Sequence, residues 1–188
     1  MQMTTSSPHD PHYLAIGRML VLFQSLEATL KDGLVLLINN QMGTPGGQLA
    51  YATVAELSFG SATRIASALP GIFSAERLGA KDDESAKRLK DALTTAEVQL
   101  KEGIKLACEA ERRRNQLVHS RWLVNPEQVT PPDTMNRMKT KTKAGSMNIA
   151  FESESSAEID ATTEKARHAQ SFIGNALEEY KKIARSQW

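Results

Sequence analysis

The feature that most constrains this chain is the periodicity of the stretch from about Glu84 to Val118. Leu89, Leu93, Ala96, Leu100, Ile104 and Ala107 recur at spacings of three and four, the signature of one face of an α-helix. The same face runs on through Glu111, Arg114 and Val118, so the seam starts apolar and turns polar towards its C-terminal end. Asp83 is placed to cap its start. A second long stripe, Ile16, Leu20, Phe23, Leu30, Leu34 and Leu37, predicts a helix from Asp10-Pro11 to about Asn39, weakened but not broken by Gly33. Asn39, Asn40 and the run Gly43-Thr44-Pro45-Gly46-Gly47 stop it.

Shorter helical segments are expected over 50–58 and from Ser61 to Leu69, the latter ended by Pro70-Gly71. Asn125-Pro126 and Pro131-Pro132 mark an irregular connection. Met135 to Thr142 and Met147 to Glu152 then alternate with period two around Lys143-Ala144-Gly145-Ser146, which reads as a hairpin turn. Ser155 or Ser156 caps a last helix to about Arg185, with the stripe Ile159, Ala166, Ala169, Ile173, Leu177, Tyr180 and Ala184. The fold class is therefore mainly α: a four- to five-helix bundle with a small β-hairpin before the last helix. One domain is expected over 1–188, with 1–9 disordered and 123–154 forming a loop and hairpin insertion.

At 188 residues and 40% hydrophobic, the chain can bury one real core. Its single cysteine, Cys108, cannot form an internal disulfide, which fits a reducing compartment. Residues 1–17 lack the basic start, apolar run and cleavage site of a secretory signal, and the longest apolar run, Leu34 to Ile38, is too short to span a bilayer. A cytoplasmic protein without membrane association is expected. The formal net charge of +1 means that any polyanion site must be a local patch. No repeat, phosphate-binding glycine loop, zinc-type cysteine pair or serine-nucleophile signature is present. His9 and His12 sit three apart but lack a third ligand, so neither a metal site nor a cofactor is expected.

The polar end of the long helix reads Glu109-Ala110-Glu111-Arg112-Arg113-Arg114-Asn115-Gln116-Leu117-Val118-His119-Ser120-Arg121-Trp122. A histidine near neutrality in pKa can serve as acid or base. An arginine offers a fork of donors suited to phosphate oxygens, and Asn115 can orient either the histidine or a substrate. An arginine followed by a polar residue, with a histidine five positions after the arginine, resembles the signature of the HEPN superfamily. That resemblance implies a small helical bundle, usually dimeric, whose active members cut RNA without metal at a site shared between protomers. Carried over to this chain, it makes Arg114, Asn115 and His119 the catalytic candidates of an endoribonuclease, as in toxins and defence effectors. Family members often carry a tyrosine two residues after the histidine, where partner nucleotidyltransferases modify it. Here that position is Arg121, so such control is not implied.

Five residues of helix turn through about 500°, so Arg114 and His119 point about 140° apart unless the helix ends or bends between them. Asn115 and His119 share a face. The same residues admit a structural reading, with Arg114 neutralising a core carboxylate and His119 favoured by the helix dipole. The protein would then be a non-catalytic helical module for protein–protein interaction.

Three further expectations follow. Glu27 interrupts the apolar stripe of the first helix, and a carboxylate there needs a partner; the seam cation Arg114 is the expected one, making Glu27 a supporting residue. Arg137, Lys139, Lys141 and Lys143 alternate along one strand face, either as an RNA phosphate track or as a charged edge strand that deters aggregation. Finally, the motif brings one histidine where cleavage wants an acid and a base, which points to a homodimer with two copies of His119 in one cleft. Met19 to Phe23, apolar all round the first helix, would supply surface for that partner. The implied partners are thus a second copy, an RNA substrate, and an antitoxin or other protein.

Overall fold

The computed structural model describes residues 9–39, 43–74, 78, 84–123, 134–143 and 146–186. Five helices and a three-stranded sheet follow in the order α1 (Asp10–Ile38), α2 (Pro45–Ala55), α3 (Phe59–Ile72), α4 (Glu84–Val118), β1 (Arg121–Leu123), β2 (Thr134–Lys143), β3 (Ser146–Ser155) and α5 (Ser156–Ser186). The protein is thus a mainly α bundle with a small antiparallel sheet before the last helix. Among the described residues no helix is long and apolar enough to cross a membrane.

The three long helices pack on one another, and glycine stands at two tight contacts between them. A Cβ on Gly33 would stand 2.4 Å from Leu177 Cδ1, and one on Gly103 would stand 2.8 Å from Ile173 Cγ1 and 3.0 Å from the Ile173 backbone nitrogen. Gly33 is therefore where α1 meets α5, and Gly103 where α4 does. The main core fills the space between, with Leu26, Leu30, Leu34, Leu100, Ile173 and Tyr180 all buried. A smaller core of Ala15, Met19, Leu117 and Ile159, flanked by Trp122, closes the end of the bundle beside the sheet.

Several local readings change. Thr44-Pro45 does more than stop α1: the Thr44 side chain accepts from Gly47 N at 3.2 Å with Pro45 in the first turn, so the run opens α2. Pro70 lies inside α3, which continues for two residues past it. α5 begins on a capping box, in which Ser155 Oγ accepts from Glu158 N at 3.2 Å and Glu158 Oε2 accepts from Ser155 N at 2.8 Å. Its backbone hydrogen bond, then the Ser155 hydroxyl, hold the Glu158 carboxyl below its ordinary value. The buried seam of α4 runs through Ala107, Ala110 and Leu117, with Glu111 and Arg114 both half-buried beside it and Val118 exposed. Of the segment 1–9 expected to be disordered, His9 is ordered as the N-cap of α1, its carbonyl accepting from His12 N at 3.0 Å; 1–8, the Asp83 cap, the connection over 124–133 and the turn at 144–145 lie outside the described residues.

β2 lies between β1 and β3 over Asn136–Met138, so Arg137 is on a central stretch; from Lys139 to Lys143 it pairs with β3 alone among the described residues and keeps an open edge. The third strand, β1, follows directly on the turn that ends α4, and it was not legible as a strand because it is only three residues long.

Candidate functional site

The site is the C-terminal end of α4. The helix stops at Val118, between the two residues whose directions a continuous helix would keep apart. Two side chains finish it. Trp122 Nε1 donates to the Leu117 carbonyl at 3.0 Å, and Ser120 Oγ donates to the Gln116 carbonyl, so carbonyls left over at the helix end are satisfied from the chain that follows. His119 N still reaches the Asn115 carbonyl at 3.0 Å. His119 sits one residue past the helix, with its side chain exposed.

The three consecutive arginines have three environments. Arg112 is exposed. Arg113 is tied to the Glu154 carboxylate and to Gln116 Oε1. Burial, then the nearby Arg137 guanidinium, press its pKa down. Arg114 is half-buried, its guanidinium carbon 4.5 Å from the centroid of the Phe23 ring. Its Nε is buried without a hydrogen-bond partner, and among the described residues no carboxylate lies within ion-pair distance of it. Phe23 in turn packs on Phe59, with ring centroids 4.9 Å apart.

The expected Glu27–Arg114 pair is therefore not formed. Glu27 turns along its own helix to Lys31, with Oε1 to Nζ at 2.9 Å, and both side chains keep partial access to water. Phe23, one turn earlier, meets Arg114 instead. A ring face attracts a guanidinium without asking a second ion to leave water.

The basic strand is also corrected. Arg137 is 3% exposed, and its Nε donates to Glu154 Oε2 at 3.0 Å, its Nη1 to Ser120 Oγ at 3.2 Å, and its Nη2 to Glu152. It is no phosphate contact, because its stretch of β2 is central and this face is turned to the body. Lys139 is bonded to Glu152 at 3.2 Å, which lowers that carboxylate's pKa. The side chain of Lys141 lies outside the described residues. The Arg113–Glu154–Arg137–Ser120 network instead clamps the sheet to the end of α4. His12 Nε2 adds a bond at 3.0 Å to the Glu154 carbonyl.

Of Met19 to Phe23, Met19 and Phe23 are buried within the protomer, Leu20 and Leu22 are half-buried, and only Val21 is exposed. The apolar surplus expected to seat a second copy is thus mostly covered. Burial pushes the Cys108 thiol up, away from thiolate chemistry. Among the described residues no group of three or more His, Cys, Asp or Glu is placed to hold a metal ion.

Sequence reasoning missed Phe23 as the seat of Arg114, and Ser120 and Trp122 as the devices that end α4. Comparison with protein-family models, with curated proteins and with solved structures finds no match.

Proposed function

We propose that this chain is a metal-independent endoribonuclease of the HEPN type, of the class that includes toxins and defence effectors, and that it works as a homodimer. The observation that carries the reading is the contrast at the end of α4. Arg113 is neutralised by Glu154, whereas Arg114 is held against Phe23 with no carboxylate partner, and His119 is exposed five residues on. A positioned, uncompensated guanidinium is suited to the developing charge of a pentavalent phosphorus.

In the proposed step one His119 takes the proton of a ribose 2′-hydroxyl as its oxygen bonds to phosphorus. The P–O5′ bond breaks, and His119 of the partner subunit gives a proton to the leaving 5′ oxygen. The products are a 2′,3′-cyclic phosphate and a 5′-hydroxyl. Asn115, one turn before His119 and on its face, orients the histidine or the substrate.

One observation favours the other reading, a non-catalytic helical module that binds a protein partner: the Arg114–Phe23 stack would serve equally as a structural anchor. The two are separated by incubating the protein with end-labelled RNA in excess chelator and measuring its mass by light scattering. The enzyme reading expects a dimer and fragments ending in cyclic phosphate. A monomer that leaves RNA intact selects the module.

A further inference from the structure

The sheet has two faces of opposite character. In register, Trp122 lies opposite Arg137, and Arg137 opposite Glu152; this face is turned to the body and carries the clamp. The other face carries Arg121 opposite Met138, and Met138 opposite Phe151. Directly opposed residues share a face, so these three form one row across all three strands. Arg121 is exposed, Met138 is half-buried, and Phe151 is 65% exposed. Ile149, 45% exposed, lies beside Phe151 on the same face, opposite Thr140.

A large aromatic side chain left in water on a sheet face has no role in the core. The row begins at Arg121, two residues after His119. With strands about 4.8 Å apart, Phe151 stands about 10 Å across the sheet from Arg121. That places an exposed ring, a guanidinium and the exposed histidine within the reach of a few nucleotides of single-stranded RNA.

We infer that the outer face of the sheet is a base-stacking platform for single-stranded RNA, with Phe151 stacking a base and Arg121 contacting a phosphate beside His119. The inference rests on the ribonuclease reading and supplies its substrate class, an unpaired segment. Aromatic faces stack on any base, and a neighbouring cation tracks the backbone. A second copy of the chain is the weaker occupant. Among the described side chains, the apolar part of this face is two exposed residues, Phe151 and Ile149, and two half-buried ones, Met138 and Leu123, rimmed by Arg121, Asn136, Thr140 and Ser153, whereas a stable interface buries about 800 Å² on each partner.

The test uses full-length protein carrying His119→Ala, so that RNA stays intact, and a fluorescein-labelled single-stranded 12-mer read by polarisation. Adding Phe151→Leu keeps an apolar side chain and removes the ring, and should weaken binding about tenfold or more, while Phe151→Trp retains it. Arg121→Ala should flatten the dependence of log affinity on log salt by about 0.7, the loss of one phosphate contact. Melting curves should not move, because both side chains are exposed. If the parent binds RNA and Phe151→Leu binds as tightly, the platform is wrong and the ribonuclease reading stands. If Phe151→Leu turns a dimer into a monomer by light scattering, the face belongs to a second copy and the platform is likewise wrong. If the parent does not bind and the wild-type protein does not cleave, both readings fall.

Discussion

The middle of the bundle and its sheet-bearing end are held by different physics. In the middle, α1 and α4 approach α5 through Gly33 and Gly103, and the contacts are apolar, with alanines such as Ala96, Ala107 and Ala169 keeping the helices close. At the end, the sheet is fastened to α4 by ions: Arg137 and Glu154 are 3% and 2% exposed, and Arg113, Ser120 and Glu152 complete their hydrogen bonds. Apolar packing tolerates small changes of shape. A buried ion network does not tolerate the loss of one member, because the remaining charge stays out of water. The candidate chemistry lies at the second kind of region, where Arg114 escapes the network and His119 faces solvent.

The largest effect should come from breaking the clamp. Glu154→Ala leaves Arg137 buried with only Glu152 and Ser120, and frees Arg113, so unfolding by denaturant should show a loss of about 3 kcal/mol. A loss below 1 kcal/mol would mean that the clamp does not carry the sheet. Next is the helix contact. Gly103→Val pushes two methyl groups towards Ile173 and should cost about 1–3 kcal/mol. Gly17→Ala, where nothing lies within 4 Å of an added Cβ, should instead gain about 0.5–1 kcal/mol from helix propensity. Equal effects at the two glycines would contradict the close approach at Gly103.

Glu27→Ala sharpens the contrast from the other side. Its pair with Lys31 is a partly exposed pair within one helix, so the expected cost is below about 1 kcal/mol. The sequence-based expectation of a core pair with Arg114 would have made it several times larger.

The smallest effect concerns acid. Glu158 and Glu152 both sit below their ordinary value near 4.5. A depressed carboxylate gives stability that is fully present above its unfolded value and is lost as pH falls through the lower folded value. Melting temperature should therefore decline once pH drops below about 4.5, and Glu158→Gln should remove part of that decline.

The helical body was legible because periodicity is a local property of the chain. The stripes of α1, α4 and α5 follow from spacing, and the limits of α1 from the Asp10-Pro11 start and the stop at Asn39 and the glycine-rich run. The capping box at Ser155 and Glu158 was likewise half visible, through Ser155. What spacing cannot show is which partner a polar residue meets. Glu27 and Arg114 both lie on their seams, yet an aromatic ring one turn from Glu27 takes the guanidinium. The alternation of Arg137 and Lys139 placed them on one face, but not which face was turned inward. That is set by how the sheet docks on the end of α4, through Glu154 to Arg113 and Arg137 to Ser120. For the same reason Phe151 carried no signal: its exposure is a property of the assembled sheet.

The most direct test is a double readout on His119→Ala, with RNA cleavage in chelator and thermal melting measured on the same preparation. His119 is exposed and lies outside the clamp, so the account predicts that cleavage is abolished while the melting temperature is unchanged. Cleavage at the wild-type rate, or a melting temperature lowered as far as that of Glu154→Ala, would contradict it.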